Sequence, residues 1–259
     1  MSFAADWLDL REPADARARD PGILAHAVQH AGQGRVLLDL GCGTGATARV
    51  FAGAGATGLD WRLFDNDRDL LAVAAQRHPQ AEICHGDLAD ISAIPLAGVR
   101  MVTASALLDL VSYTWVEQFV ARLAHEGTGL YAALSYDGAM RWAPSDEADI
   151  PVTERFNAHQ RSDKGLGPAL GPDAAASTVD LLRAEGYEVI LAQSPWRLGP
   201  GEAALHDRLL SGIAKAACET GLSEAQAWAE RRKAKLGHSR AEIGHIDLFA
   251  QPPGWAVGG

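Results

Sequence analysis

The residues best suited to chemistry open with Val36-Leu37-Leu38-Asp39-Leu40-Gly41-Cys42-Gly43-Thr44-Gly45, an apolar run that ends in an acid and then in alternate glycines. Glycines so placed let the backbone turn tightly and approach a bound molecule where any Cβ would collide. The helix expected next offers unpaired N–H groups to a polar or anionic ligand. The spacing is GxGxG, and the third glycine comes one residue too soon for the GxGxxG of dinucleotide enzymes.

A second group lies in Tyr136, Asp137, Arg141 and Trp142 and in Arg155-Phe156-Asn157-Ala158-His159-Gln160-Arg161-Ser162-Asp163-Lys164-Gly165. Here His159 has the chemistry of a general base. Arg161 and Lys164 suit an anionic acceptor such as a carboxylate or phosphate. Trp142 and Trp196 offer flat faces on which a planar substrate can stack, whereas Trp7, Trp61, Trp115 and Trp228 suit packing. His26 and His30 share one helix face at zinc-like spacing, but the neighbouring Glu of HExxH and a third ligand are missing, so no metal is expected.

These groups need a scaffold. Arg35–Leu40 reads as a short buried parallel strand, followed by a helix over 46–52. Further strand-like pieces are Trp61–Asp65, Ala81–Cys84, Val99–Ala104 and Gly129–Leu134, with helices between them. Thr114-Trp115-Val116-Glu117 has capping-box spacing for the helix before the fifth strand. Such alternation builds right-handed βαβ crossovers and a parallel sheet.

Helix is expected over Phe3–Ala31, broken near Pro13 and again at Asp20-Pro21-Gly22. Residues 135–172 lose the pattern and read as a cap or lid insertion. A helix at 174–185, a strand at 187–192, two helices (202–219 and 223–236) and a last strand, Ile243–Ala250, complete a single domain spanning 1–259. The segment after Gln251 reads as irregular.

The 259 residues, 47% hydrophobic and 22% charged, are those of a globular α/β domain. A net charge of −10 argues against a nucleic-acid partner, which needs a basic face. The run Arg231-Arg232-Lys233-Ala234-Lys235 reads as the solvated end of a helix. The start of the chain is acidic, no apolar segment reaches membrane-spanning length, and three widely spaced cysteines (Cys42, Cys84, Cys218) suit a reducing compartment. A cytoplasmic protein with no membrane partner is therefore expected, and a homodimer stays open.

In motif order, about the first 135 residues resemble the class I S-adenosylmethionine-dependent methyltransferases, whose first motif is an apolar run, an acid and GxGxG. The resemblance implies a Rossmann-like, doubly wound, seven-stranded sheet, mostly parallel, with helices on both faces. Its last strand would be antiparallel and inserted beside 187–192. It also implies S-adenosylmethionine as cofactor and S-adenosylhomocysteine as product.

In that family Gly41 and Gly43 would line the methionine part, and Asp39 would hold its ammonium. An acid ending the second strand takes the ribose hydroxyls. Asp65 fits better than Asp60 because Trp61–Phe64 is the stronger strand, and Asn66 would lie by the adenosine. Asp87 and Leu88 of His85-Gly86-Asp87-Leu88 would meet the adenine. Ala104 and Ser105 stand where many relatives that act on exocyclic nitrogen carry Asn/Asp-Pro-Pro-aromatic, so a small-molecule acceptor is favoured, with O-methylation ahead of N. Tyr136, Trp142, Arg161 and Lys164 would contact that acceptor. The competing classes are an NAD(P)-dependent oxidoreductase and a protein that binds S-adenosylmethionine without transferring its methyl.

Overall fold

The computed structural model describes residues 5–255. Phe3, where the first helix was expected to begin, lies outside them, as does the end of the tail. From the amino-terminal side, α1 (Ala5–Ala18) and α2 (Pro21–Ala31) precede β1 (Val36–Leu40). Then follow α3 (Ala46–Gly53), β2 (Asp60–Asp65), α4 (Arg68–Arg77), β3 (Glu82–His85), β4 (Val99–Ser105), α5 (Tyr113–Glu126) and β5 (Gly129–Ala143). The second half holds α6 (Asp149–Gln160), α7 (Ala174–Ala184), β6 (Glu188–Gln193), β7 (Trp196–Leu198), α8 (Ala203–Glu219), α9 (Ala225–Lys233) and β8 (Arg240–Gln251).

The strands form one sheet in the order β3-β2-β1-β4-β5-β8-β6, with β7 also paired to β8. Pairings from β3 through β5 are parallel, and β8 runs antiparallel to β5, β6 and β7. The doubly wound α/β fold and its inserted last strand are thus as expected, with the short β7 as an eighth strand.

Alternation along each strand explains the layers. Leu38, Leu40, Val102, Leu130 and Ala132 face one side, against Val116, Phe119 and Leu123 of α5 and Leu182 of α7. Leu37, Met101, Tyr131 and Ala133 face the other, against Ile23 and Ala27 of α2 and Phe51 of α3. A third core joins α1, α6, α8 and α9 to the outer ends of β5, β7 and β8.

Three local readings are corrected. α1 runs unbroken through Pro13, and the Arg11–Asp15 ion pair (2.8 Å) spans the proline. α5 is capped by Ser112, whose hydroxyl accepts from the Trp115 N–H, not by Thr114. Residues 135–143 continue β5, where register shifts between Ala132 and Ser135 and between Tyr136 and Met140 break the period of two. Only beyond Ala143 does the segment leave the sheet, as α6 and the loop 161–170.

Candidate active site

The strand order reverses between β1 and β4, where this architecture leaves a crevice at the carboxyl ends of its strands. A cavity of about 320 Å3 occupies that place. Its walls come from the turns after four strands: Gly41–Thr44 after β1, Asp65–Asp67 after β2, Asp87 and Leu88 after β3, and Ser105 and Ala106 at the end of β4.

Gly41, Gly43 and Gly45 have φ values of +61°, +53° and +80°, a region that glycine enters without strain. A Cβ on Gly43 would stand 2.9 Å from Leu8 Cδ1. On Gly86, it would stand 2.5 Å from the Phe64 ring. The loop is therefore a cradle that side chains would fill.

Asp65 fixes the cradle to the second strand. Its Oδ2 accepts from the Gly43 N–H at 2.8 Å and its Oδ1 from the Asp67 N–H at 3.0 Å. A carboxylate can accept further bonds beyond these two. Asp67 caps α4 through the N–H groups of Asp69 and Leu70, while Asn66 faces the cavity between the two acids.

Asp39 lies one layer below the surface. The β1–β4 register sets it opposite Thr103, whose hydroxyl donates to Asp39 Oδ1 at 2.6 Å. Burial pushes its carboxyl up to about 6, against the Thr103 hydroxyl, the charge of Arg19 and the Thr47 hydroxyl. It does not line the cavity, and neither does Ala104, which is packed in the core beneath Ser105. An inward strand position explains both.

The fourth side is α1, a contribution sequence reasoning missed. Leu8, Arg11 and Asp15 wall the cavity from this helix, and the buried Arg19 stands just after it. Arg19 donates to Tyr131 Oη at 3.1 Å and to Ser105 Oγ at 2.5 Å. Ion pairs strap α1 down: Asp9–Arg77 at 2.7 Å, Glu12 Oε1–Arg49 Nε at 2.7 Å and Asp6–Arg208 at 2.8 Å. Arg49 also donates to the Thr44 carbonyl at 2.7 Å, which ties the strap to the glycine loop.

A second cavity of about 540 Å3 shares Arg11, Ala106, Leu110 and Lys164 with the first. Its apolar wall includes Trp7, Tyr136, Phe156, Trp196 and Ile213. Of the residues expected around the acceptor, Tyr136, His159, Lys164 and Trp196 line it and two do not. Trp142 is a core residue, stacked on His206 and edge-on to Trp228, because the bulges in β5 turn it toward α8 and α9. Arg161 is exposed and held by Asp173 at 2.9 Å, so its guanidinium is already neutralised.

The two basic residues that do line the cavity are heavily engaged. Lys164 Nζ donates to the His159 carbonyl (2.9 Å) and to Ser162 Oγ (2.9 Å), and it lies 3.1 Å from His159 Nδ1. The other nitrogen of His159, Nε2, is 2.9 Å from Glu219. The cavity also contains two groups the sequence did not single out, the buried Asp109 and His245. Of the paired histidines of α2, His26 stacks on Phe249 and His30 lies tilted against it.

Fold and cleft together define a Rossmann-like α/β protein with two adjoining cavities at the carboxyl ends of its strands. The family profile described as "Methyltransferase domain" matches residues 37–126, the segment from β1 to the end of α5. Among solved structures, a protein of Bacillus halodurans C-125 provisionally assigned as a methyltransferase has a TM-score of 0.52 at 16% identity, covering 90% of this chain and 99% of that one. A protein of Anabaena variabilis provisionally assigned as a methyltransferase of an antibiotic biosynthesis pathway has a TM-score of 0.51 at 14% identity, covering 92% and 99%. At these identities the two structures speak for the fold. No curated protein matches in sequence. Residues 37–126 thus carry a methyltransferase domain, and the fold around them is the one expected of the class I S-adenosylmethionine-dependent methyltransferases.

Proposed function

We propose that the protein transfers a methyl group to a small-molecule acceptor held in the larger cavity, an oxygen being methylated in preference to a nitrogen. The observation that carries this reading is the shared wall of Arg11, Ala106, Leu110 and Lys164, which sets the two chambers side by side. When bound, S-adenosylmethionine supplies an electrophilic methyl group on a positively charged sulfur.

The glycine cradle, the mixed polar and apolar lining and the acids at the ends of β2 and β3 suit that molecule. Gly41 and Gly43 would face its methionine part, and Ser105 stands nearby. Asp65 would take the ribose hydroxyls, with Asn66 beside them, and Asp87 and Leu88 would meet the adenine. Asp39 would act from beneath the loop, through water. Arg19, a buried cation on the same wall, is suited to the methionine carboxylate.

The acceptor chamber works by alignment and by excluding water, which supply much of the acceleration of an in-line displacement. Its aromatic wall favours a small organic acceptor over a nucleic acid, in keeping with the net charge of −10. A cytoplasmic setting is proposed from the three free cysteines; among the described residues no helix is long and apolar enough to cross a membrane.

Calorimetric titration with S-adenosylmethionine, S-adenosylhomocysteine and NAD tests the reading. Micromolar binding of the first two is expected, weakened about 30- to 100-fold by Asp65→Ala and unchanged by Asp60→Ala. Binding of NAD alone would overturn it.

A further inference from the structure

The acceptor chamber is lined by polar groups that are nearly all spoken for. Tyr136 Oη donates to Asn157 at 2.8 Å, and Trp196 Nε1 donates to Asp15 at 2.9 Å. Lys164 and His159 hold each other as described above. Two buried atoms of its lining are left over: Oδ1 of Asp109 and Nδ1 of His245 have no hydrogen-bond partner among the described residues. Buried polar atoms are paired in the great majority of cases, so two orphans on the wall of one cavity point to a ligand that completes them.

Asp109 is also placed by strained backbone. The chain leaves β4 through Ala106, a non-glycine residue at φ +49°, and enters the short 3-10 turn Leu108–Leu110 that carries Asp109. Such a conformation is strained for a residue with a side chain and persists where the surroundings impose it, commonly at functional sites. Ala106 lies on the wall that the two chambers share, three residues before the carboxylate.

The chemistry of the surroundings selects the acceptor. Facing Asp109 across the chamber are Arg11 from α1, Tyr136 from β5, His159 from α6 and Lys164 from the following loop. Arg208 and Lys215 come from α8 and His245 from β8. Both tryptophan faces of the chamber, the strongest sites for an ammonium, already carry guanidinium groups, Arg11 at 5.2 Å from Trp196 and Arg208 at 5.3 Å from Trp7. A cationic amine would meet those charges, whereas a neutral aromatic hydroxyl fits the apolar wall and offers its proton to the carboxylate.

We infer that Asp109 is the base of this methyltransferase and that its acceptor is a phenol-type hydroxyl. The inference rests on the methyl-transfer reading above. Asp109 Oδ1 receives the proton that the acceptor oxygen sheds as it bonds the methyl carbon. The electron pair of the broken sulfur–carbon bond stays on sulfur, turning the sulfonium into a neutral thioether. Asp109 then releases the proton to solvent. His245 remains neutral, since burial pushes its imidazole down to about 3, and its Nδ1 takes up the acceptor's second polar group.

Burial likewise pushes the Asp109 carboxyl up to about 6, against the backbone N–H of Asp109, the charge of Arg11 and the N–H of Tyr136. A raised carboxyl makes the anion costly in the folded state, so its penalty vanishes below the ordinary value of 3.8, is small at pH 4 and is complete at pH 8.

The test compares wild type with Asp109→Asn, and uses Asp109→Ser in the same way should the first fail to fold. Calorimetry with S-adenosylhomocysteine comes first: no binding to wild type sinks the methyltransferase reading as a whole, and Asp109 with it. Wild type saturated with S-adenosylhomocysteine is then titrated at pH 8 with 4-nitrophenol. Binding should quench the yellow of the phenolate, because the anionic Asp109 holds the probe as its protonated form, and the variant should bind at least tenfold more weakly or leave the colour unchanged.

In thermal melts the variant should exceed wild type by a few degrees at pH 8 and match it at pH 4, the reverse of what loss of a structural carboxylate does. Equal quenching and affinity in both proteins, or a variant less stable at both pH values, overturns the role of Asp109. Failure of wild type to bind 4-nitrophenol, or tighter binding of benzylamine, overturns the acceptor class.

Discussion

The two chambers are built by opposite rules. Most of the cofactor cavity's walls come from four consecutive strand-to-helix turns, each a few residues long, and backbone conformation does much of its work. The acceptor chamber draws its walls from α1, β4's exit, β5, α6 with the loop that follows it, β7, α8 and β8, and side chains do nearly all of it. A turn is a local object, so its residues stand together in sequence and tolerate little change. A chamber assembled from seven places depends on tertiary packing, and single walls can change while the rest persists.

The contrast can be broken most directly at Gly43. Valine there must take φ near +53° and set its Cβ against Leu8, so S-adenosylhomocysteine affinity should fall about 100-fold or more. Calorimetry checks this, with a melt to show that the fold survives. Tolerance of Gly43→Val would mean that the cofactor side is as adaptable as the acceptor side.

On the acceptor side, a general base at His159 would make His159→Ala about 100-fold slower in turnover. With one nitrogen beside the Lys164 ammonium and the other on Glu219, the loss should stay below about tenfold and S-adenosylhomocysteine binding should be untouched. Steady-state kinetics with any phenol found to be methylated separates the two.

The smallest effect should come from the strap. Glu12→Gln weakens the pair with Arg49, which is about three-quarters buried but still reached by solvent, so its contribution is modest and partly screened by salt. A loss of about two- to fivefold in S-adenosylhomocysteine affinity is expected at low salt, shrinking toward none near 1 M salt. A salt-independent loss would mean that α1 is held by packing instead.

The same contrast decides what could be read in the sequence. The glycine loop, Asp65 and Asp87 could be picked out because the residues at strand ends that open onto this cavity come in short runs. The sheet order through β1, β4 and β5 follows from apolar runs separated by helices. By contrast, Asp109 lies in Leu107-Leu108-Asp109-Leu110-Val111, where one acid among apolar residues carries no spacing signal, and His245 sits inside an ordinary strand pattern. Arg11 and Arg19 read as charges on a surface helix until α1 is seen folded over the cleft.

Trp142 and Trp196 looked equivalent, yet the bulges in β5 bury one while β7 turns the other inward. The same bulges hid the continuation of β5 past Leu134. At Ser112 and Thr114, two hydroxyl residues compete for one cap, and only the Trp115 N–H decides between them.

The position of β8 has a consequence for how the protein is made. This strand pairs with β5, β6 and β7 together, and it is synthesised after all of them. Until it emerges from the ribosome, β5 presents fifteen residues of bare edge, most of them buried in the finished sheet, and β6 has nothing to pair with. An unpaired apolar edge is a template for association with other chains. The half of the sheet that holds the cofactor can close early on local contacts. The other half waits for β8, whose pairings span from 43 residues (Leu198 with Ala241) to 120 (Leu130 with Ala250), and such non-local pairing is slow and exposed to aggregation.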